Sequence, residues 1–523
     1  MNRSLSAPAA RRDWWLATVV ALGVVLYLGS LPYNLGVADE SFFLNDSKRL
    51  LHGQLMYRDV FYYATPGAHW LMAAVFWLFG TSMRVARLSM AVLHGAIAAT
   101  VYVTCRRVHA RPVFGLAAAI AGVALCQSAW PYASLHWLSA QLMVAILFVA
   151  VGRWTTGRVP AWSLGLLTGA LVAVQQQKGI AMAVAAVALF ALHAAVAWRT
   201  GAPAPVRTAL RRTLWLAAGV AAVAVPLLAV LIAQVGVAPL VEQLVVFPFT
   251  GYREYNHATW GQVLPLAAQF APYTLPTLLA ALPAVAAIGV LRALWLWASH
   301  PESPQLTALL ALLTLCGGAT LSILYLPDFI HIALIAPVFL VFWAETLDAA
   351  VRWVPMSPAR QRAFAWAVGG ALLAGLSVQL ARNATRMWRN FPITRETAFG
   401  RVDFATPGEA ALVDQLRELL AQAGTREFFA YPMYTSLYLT TDSDNPTPFH
   451  MMLPGWNTPA QYAAVVQVLE THRLPYVFAC AVQPDTPDPI LHFLAEHYER
   501  VSAGTHPCGL YRRRDLTVPA PGS

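Results

Sequence analysis

Residues 179–198 read GIAMAVAAVALFALHAAVAW, twenty consecutive positions without an aspartate, glutamate, lysine or arginine. A helix needs about 20 apolar residues to cross about 30 Å of hydrocarbon. Similar apolar runs cover residues 16–31, 113–130 and 214–235. They are solid blocks rather than short alternating strands, which favours membrane-spanning helices over a transmembrane barrel.

The composition of the whole chain agrees with these runs. Of its 523 residues, 58% are hydrophobic and only 11% are charged, and the mean hydropathy is +0.54. Soluble domains carry roughly a quarter charged residues, so water cannot solvate most of this chain. We predict an α-helical polytopic membrane protein with about 11–13 transmembrane helices, formed by residues 1–384.

The positive charges indicate how the chain is oriented. The net charge is +10, and the arginines cluster between apolar runs, at 106–111, 153–158, 199–212 and 352–362. Cytoplasmic loops retain such clusters, so we attribute them to topology and not to nucleic-acid binding. This predicts that the loops 32–67 and 236–262 lie outside the cytoplasm. If the run 68–80 is re-entrant or lies on the surface, about eleven crossings place every arginine cluster on the cytoplasmic side.

From about residue 385 the chain changes character, because charged residues and prolines return. Strand-length apolar runs at Glu427–Tyr431 and Tyr476–Cys480 alternate with helical patterns at 407–423 and 459–473. This alternation predicts a small periplasmic α/β domain over residues 385–523. Cys480 and Cys508 both lie in it, and the sequence leaves open whether they pair in an oxidising compartment.

The first loop carries the most informative charges. Asp39 and Glu40 directly follow the first apolar run, and Asp59 lies in an aromatic-rich stretch. Carboxylates near a bilayer are costly unless they are solvated, paired or functional. The alternative is a solvated loop in which Asp39 caps a helix over residues 40–52. Lys178 has two similar interpretations. It is either a functional cation or a lysine whose side chain extends to the membrane–water interface.

A known family shares the order of these residues. Asp39-Glu40, Gly53, Tyr57-Arg58-Asp59 and Pro66-Gly67 resemble the first periplasmic loop of the GT-C glycosyltransferases, which include the protein O-mannosyltransferases, the lipid A aminoarabinose transferase and the Rgt-type sugar transferases. Gln177-Lys178-Gly179 and Pro327-Asp328-Phe-Ile-His331 resemble later elements of the same families. One departure is Ala64-Thr65-Pro66, where the aminoarabinose branch has Glu-Lys-Pro.

This resemblance implies a bacterial inner-membrane protein with the loops 32–67 and 236–262 in the periplasm. It also implies an inverting transfer of a sugar from a polyprenyl-phosphate donor to a hydroxyl of a lipid, glycan or protein acceptor. A carboxylate serves as the general base in such a transfer, and Asp39 is the first candidate, with Glu40 or Asp59 positioning the acceptor. Cations stabilise the departing lipid phosphate. The candidates are Lys178, Arg58, Arg253 and His331. No metal ligands are predicted, and the participation of a divalent metal stays open.

Two other functions compete with a transferase. A lipid or sugar transporter, or a flippase, would carry charges and broken helices inside the membrane, whereas the acids here lie in an outside loop and no inverted repeat is visible. A non-catalytic assembly or receptor protein would read its ligands through the C-terminal domain. Replacing Asp39 by Asn discriminates among the three.

Overall fold

A computed structural model of the chain describes residues 7–36, 38–152, 161–256, 275–480, 488–501 and 508–516. Three features of the sequence analysis lie wholly or partly outside these ranges. They are the arginine cluster at 153–158, the end of the loop 236–262 and the apolar stretch 263–274. Within the described ranges, residues up to 390 form thirteen helices of ten or more residues, of which one is polar and twelve are apolar. They are α1 (Ala7–Gly29), α2 (Asp39–Leu51), α3 (Gly67–Phe79), α4 (Met83–Arg107), α5 (Pro112–Gln127), α6 (Leu135–Ala150), α7 (Ala161–Val174), α8 (Gln176–Arg199), α9 (Pro205–Val235), α10 (Leu275–Ser299), α11 (Pro304–Leu321), α12 (Phe329–Trp353) and α13 (Pro358–Asn390).

Eight of these helices are long and apolar enough to cross a membrane, namely α1, α4, α8, α9, α10, α11, α12 and α13. Three of the four shorter apolar helices, α5, α6 and α7, pack between them. The described part of the chain thus contains eight candidate membrane spans, and the count of about eleven crossings stays a prediction that requires α5, α6 and α7 to cross as well. The polytopic helical fold is therefore confirmed.

The fourth short helix, α3, does not run across the bundle. Its 13 residues measure about 20 Å at 1.5 Å per residue. Before its first turn, the Thr65 N–H donates to the side chain of Gln176. Just after its end, the Met83 N–H donates to the Phe399 carbonyl of the C-terminal domain. Both ends therefore lie on the face that carries the C-terminal domain, which favours the surface alternative.

Helix α12 runs through the centre of the bundle, where Phe339 and Phe342 are fully buried. Its far end carries a network of ion pairs, in which Arg111 and Arg352 both pair with Asp348, at 2.7 and 3.0 Å. Pairing of this kind is how charges are accommodated near the hydrocarbon. The N-terminal end of α12 instead opens the candidate site.

Helices α7 and α9 cross at glycines. A Cβ on Gly165 would lie 2.4 Å from the Leu216 carbonyl oxygen, and one on Gly219 would lie 2.6 Å from the Trp162 carbonyl oxygen. Small residues allow such close approach of helix backbones in membranes. This crossing fixes α7, and with it the turn that precedes Lys178. Four short helical segments, Val237–Val241, Glu242–Val246, Phe247–Phe249 and Gly251–Tyr255, follow α9.

The C-terminal domain is the small α/β unit that the sequence predicts. An antiparallel hairpin is followed by a four-stranded sheet in the order β3-β4-β6-β5, in which β3 and β4 are parallel. The elements are β1 (Ile393–Thr397), β2 (Gly400–Phe404), α14 (Pro407–Ala423), β3 (Phe429–Tyr431), α15 (Ser436–Thr441), α16 (Pro459–His472), β4 (Tyr476–Cys480), α17 (Pro489–His497), β5 (Tyr498–Arg500) and β6 (Cys508–Arg513). Cys480 and Cys508 form a disulfide between β4 and β6.

Candidate active site

Helix α2 presents Asp39 at its first turn. The helix begins at Asp39, the residue before it is Ala38, and no side chain caps this end by a hydrogen bond. The capping role considered for Asp39 is therefore not the one the structure shows. Residues Glu40–Arg49 of α2 are buried, whereas the Asp39 side chain remains accessible to solvent.

Protein nonetheless surrounds Asp39 on most sides. This burial raises the pKa of the Asp39 carboxyl above its usual value, while the nearby charges of His331 and His450 act in the opposite direction and Asp328 adds to the increase. A carboxylate that meets solvent yet is poorly solvated is a better proton acceptor than an ordinary aspartate. These properties suit a general base.

Basic side chains converge next to Asp39. The Lys178 ammonium donates to His136 Nδ1 at 2.9 Å, and the rings of His136 and His331 lie 5.8 Å apart. His331 Nδ1 lies 2.9 Å from Asp328 Oδ1, which also accepts the His331 backbone N–H. Lys178 is fully buried, and no carboxylate of the described residues lies within ion-pair distance of it. The lysine of this cluster therefore has no acidic partner among the described residues.

Aromatic side chains from three parts of the chain line the same region. The Tyr252 ring lies 4.7 Å from that of Tyr63 in the first loop, 5.6 Å from that of Tyr325 beside α12 and 5.1 Å from that of Trp456 in the C-terminal domain. The Gln177 side-chain amide donates to the Tyr325 hydroxyl at 3.4 Å. The first loop, the short segments after α9 and the C-terminal domain thus close around one site.

Glu40 takes no part in this cluster. Its carboxylate pairs with Arg87 at 2.6 Å and accepts the backbone N–H groups of Gly36 and Ala133. All of these partners are structural contacts between α2, α4 and the segment before α6. The structure therefore places Glu40 as a support of the first loop, which differs from the expected role in positioning the acceptor.

Asp59 and Arg58 form an ion pair with each other at 2.8 Å, and the Arg58 side chain is 58% exposed. The hydrogen bond from Arg58 lowers the pKa of the Asp59 carboxyl. Neither residue has a hydrogen bond or ion pair with Asp39, Lys178 or His331 among the described contacts. Arg253 is exposed in the segment that follows Tyr252. Of the seven residues proposed from the sequence, the structure thus brings together Asp39, Lys178 and His331.

Sequence reasoning missed His136, Tyr252, Tyr325 and His450. His136 carried a usable signal, because a histidine at the start of an apolar helix, next to an outside loop, is as unusual as the lysine that it contacts. His450 carried none, since its neighbours on α2 lie about 400 positions earlier in the chain. Where residues are described, no set of three His, Cys, Asp or Glu side chains is arranged to hold a metal ion.

Comparison with known proteins identifies structures that share the fold of this chain. No protein-family model and no curated protein sequence matches the chain. Among solved structures, ArnT from Cupriavidus metallidurans bound to undecaprenyl phosphate is similar over 97% of this chain and 99% of its own, with a TM-score of 0.59 and 15% identity. The apo state of the same protein covers 96% and 98%, with a TM-score of 0.55 and 15% identity. The predicted fold is therefore confirmed, because the chain shares the fold of these ArnT structures over nearly its whole length.

Proposed function

We propose that this protein is a membrane glycosyltransferase that moves a sugar from a polyprenyl-phosphate donor to an acceptor hydroxyl. One observation carries the proposal: the poorly solvated carboxylate of Asp39 lies next to a cluster of basic side chains, in which the Lys178 amine contacts His136 and the His136 ring lies beside that of His331. A base beside an anion-binding cluster is what transfer from a phosphate carrier needs. The shared fold with a protein crystallised with undecaprenyl phosphate supports this reading.

The reaction follows from these roles. Asp39 accepts the proton of the acceptor hydroxyl as the oxygen attacks the anomeric carbon of the sugar. The bond from that carbon to the phosphate oxygen breaks, and polyprenyl phosphate leaves with the bonding electrons. Since attack and departure occur on opposite faces in one step, the anomeric configuration inverts without a covalent enzyme intermediate.

The basic cluster acts on the leaving group. Negative charge grows on the bridging phosphate oxygen as the bond breaks, so a fixed positive charge stabilises the transition state more than the ground state. His136 and His331 are half-buried at the site, and Lys178 lies behind His136. Arg253, exposed on the segment after Tyr252, remains a candidate for contact with the donor at the membrane surface.

Replacement of Asp39 tests the proposal. The full-length protein in lipid nanodiscs is incubated with labelled polyprenyl-phosphate hexoses and pentoses and with membranes of the source bacterium, and released polyprenyl phosphate is measured. We expect Asp39→Asn to slow release about 10²–10⁴-fold, the usual worth of a general base. Asp59→Asn, in an exposed pair, is the matched control and should remain within a few-fold of the unaltered protein.

Two results would contradict the proposal. Unchanged release by the Asp39→Asn protein would remove the general base. Movement of labelled sugar lipid across the bilayer without release of polyprenyl phosphate would instead indicate a flippase.

A further inference from the structure

We propose that the arginine row of α13, formed by Arg382, Arg386 and Arg389, binds the head group of an anionic phospholipid. The row lies at the end of the bundle that carries the C-terminal domain, just before β1 begins at Ile393. The proposal goes beyond the proposed function and does not depend on it, because it concerns the surrounding bilayer and not the transferred sugar.

The spacing of the three arginines places them on one face of α13. They are separated by four and three residues, the distances at which side chains of a helix are neighbours, and the row spans about 10 Å at 1.5 Å per residue. All three residues are exposed. They directly follow the apolar run 363–381, which places them where the hydrocarbon ends and the lipid head groups begin. The exposed ring of Trp388 is typical of the same level.

The arginine row has no acidic partner among the described residues. The sequence contains no aspartate or glutamate between Asp348 and Glu396, and no described carboxylate forms an ion pair with a member of the row. By contrast, Arg352 pairs with Asp348 at 3.0 Å, and Arg395 lies 3.9 Å from Asp414. Three positive charges thus meet the membrane surface without compensation from the described part of the chain.

Topology does not explain the arginine row. The positive-inside rule places arginines on the cytoplasmic side of a span, and the opposite end of α13 already carries such a cluster, with Arg352 before the helix and Arg360 and Arg362 in its first turns. Because α13 is one of the candidate spans, its two ends face opposite sides of the membrane. Retention in the cytoplasm therefore accounts for one end only, and the row at the other end requires another role.

Hydrogen bonds hold this end of α13 against the bundle. The Asn383 amide donates to the Ala124 carbonyl of α5 at 3.1 Å, and the Arg386 guanidinium donates to the Ser128 carbonyl at 3.3 Å. A guanidinium has five N–H donors, so the contact with Ser128 leaves Arg386 able to bind a further acceptor. The backbone under the row is already ordered, which lowers the entropic cost of binding a head group.

The charge of the arginine row selects the class of lipid. Guanidinium groups bind phosphate oxygens through paired hydrogen bonds. In a zwitterionic phospholipid, the ammonium group of the same head group offsets the phosphate charge, whereas an anionic head group retains a net negative charge. Clusters of basic residues at a membrane boundary attract anionic lipids for this reason. The uncompensated row therefore complements an anionic phospholipid better than a zwitterionic one.

Photocrosslinking tests which lipid lies against the arginine row. The photoreactive residue p-benzoylphenylalanine replaces Thr385, which is exposed and lies one turn from both Arg382 and Arg389. The full-length protein is placed in nanodiscs of equal parts phosphatidylglycerol and phosphatidylcholine with the same acyl chains, and lipid adducts are counted by mass spectrometry. We expect phosphatidylglycerol adducts to exceed phosphatidylcholine adducts about fivefold, which corresponds to about 1 kcal/mol for one basic residue.

Val230 of α9 provides the matched control position. It is exposed, and like Thr385 it lies five residues before the end of its helix. The end of α9 is on the same side of the bundle, because Tyr252 in the segments that follow it contacts Trp456 of the C-terminal domain. Residues 213–252 contain no lysine or arginine. Adducts formed at Val230 should therefore reflect the composition of the bilayer.

Two sets of substitutions separate charge from shape. The triple variant Arg382→Gln, Arg386→Gln and Arg389→Gln should lower the adduct ratio at Thr385 to that at Val230. The variant with lysine at the same three positions keeps the positive charges and should retain most of the enrichment. This second variant also distinguishes loss of charge from poor folding of the glutamine variant.

Several outcomes would overturn the proposal. They are equal adduct ratios at Thr385 and Val230, enrichment that persists in the glutamine variant, and loss of enrichment in the lysine variant as large as in the glutamine variant. Two competitors identify another ligand for the row. Loss of the enrichment on addition of inorganic phosphate would indicate a site for the free anion, and loss with trace undecaprenyl phosphate would indicate a site for the carrier. The measurement involves no sugar transfer, so its failure is distinguishable from failure of the proposed function.

Discussion

Asp39 is both reachable by solvent and poorly solvated, and this combination predicts its pH response. Because burial raises the pKa of its carboxyl, the base becomes protonated at a higher pH than an ordinary aspartate with its pKa of 3.8. We therefore expect kcat/KM to fall as the pH is lowered, with the midpoint of this acid limb above that of an ordinary aspartate. Steady-state rates between about pH 4 and 8 measure it. A limb at or below the ordinary aspartate value would contradict the assignment.

Lys178 allows a second test, directed at the phosphate and not at the base. Because Lys178 hydrogen-bonds to His136 at the site, we expect Lys178→Met to weaken binding of undecaprenyl phosphate about 10–100-fold, the range for loss of a charge-assisted hydrogen bond. Lys178→Arg should retain most of the affinity. Binding to protein in nanodiscs can be measured by native mass spectrometry, with undecaprenol as the ligand without a phosphate. Equal weakening for undecaprenol would show that the lysine supports structure only.

At the residue scale, the sequence predicted some of the site and not the rest. Asp39, Lys178 and His331 were accessible to reasoning because each is a polar residue at the edge of an apolar run. Glu40 had the same signature, but its partner Arg87 lies 47 positions away, so its role as a support required the structure. Nothing in the local pattern distinguished the two adjacent acids.

At the element scale, the glycine contact of α7 and α9 makes a stability prediction. A methyl group on Gly219 would lie 2.6 Å from the Trp162 carbonyl oxygen, so the helices must separate to admit it. We expect Gly219→Ala to lower the free energy of unfolding by roughly 1–3 kcal/mol, as overpacking does. Thermal unfolding in detergent measures the change. A methyl group on Gly370 of α13 would meet no atom within 4 Å, so Gly370→Ala should not destabilise the protein.

Element boundaries were well predicted where the physical signal was local. The helix expected over 407–423 is Pro407–Ala423, and the one over 459–473 is Pro459–His472. Proline at the first helical position and a threonine before it mark both starts. The strand expected at Glu427–Tyr431 is shorter, Phe429–Tyr431, because only these residues pair with β4.

At the scale of the whole molecule, both the count of about eleven crossings and the side of the membrane on which each loop lies remain predictions from the arginine clusters. We expect the C-terminal domain in the periplasm, where its disulfide can form. Ala464→Cys on α16 and Arg207→Cys on α9 provide exposed positions on opposite predicted sides. A membrane-impermeant maleimide should label the first in cells with a permeabilised outer membrane, and the second only after lysis. The reverse pattern would invert the topology.

The docking of the C-terminal domain onto α2 was beyond sequence reasoning. Its contacts join residues 42–61 to residues 442–450, and neither segment has a sequence pattern that indicates contact with the other. The sequence predicts the first loop and the C-terminal domain separately, and only the structure shows that they are in contact.

Helix α3 forms an apolar ledge on one side of the protein, and its end exposes the side chains of Trp77, Leu78 and Phe79. A helix that lies along the membrane surface inserts such side chains between the head groups and the acyl chains of one leaflet only. The lipids beside this ledge are therefore packed differently from those around the rest of the protein. The lipid composition of the surrounding bilayer is then expected to influence how readily the proposed carrier reaches the site.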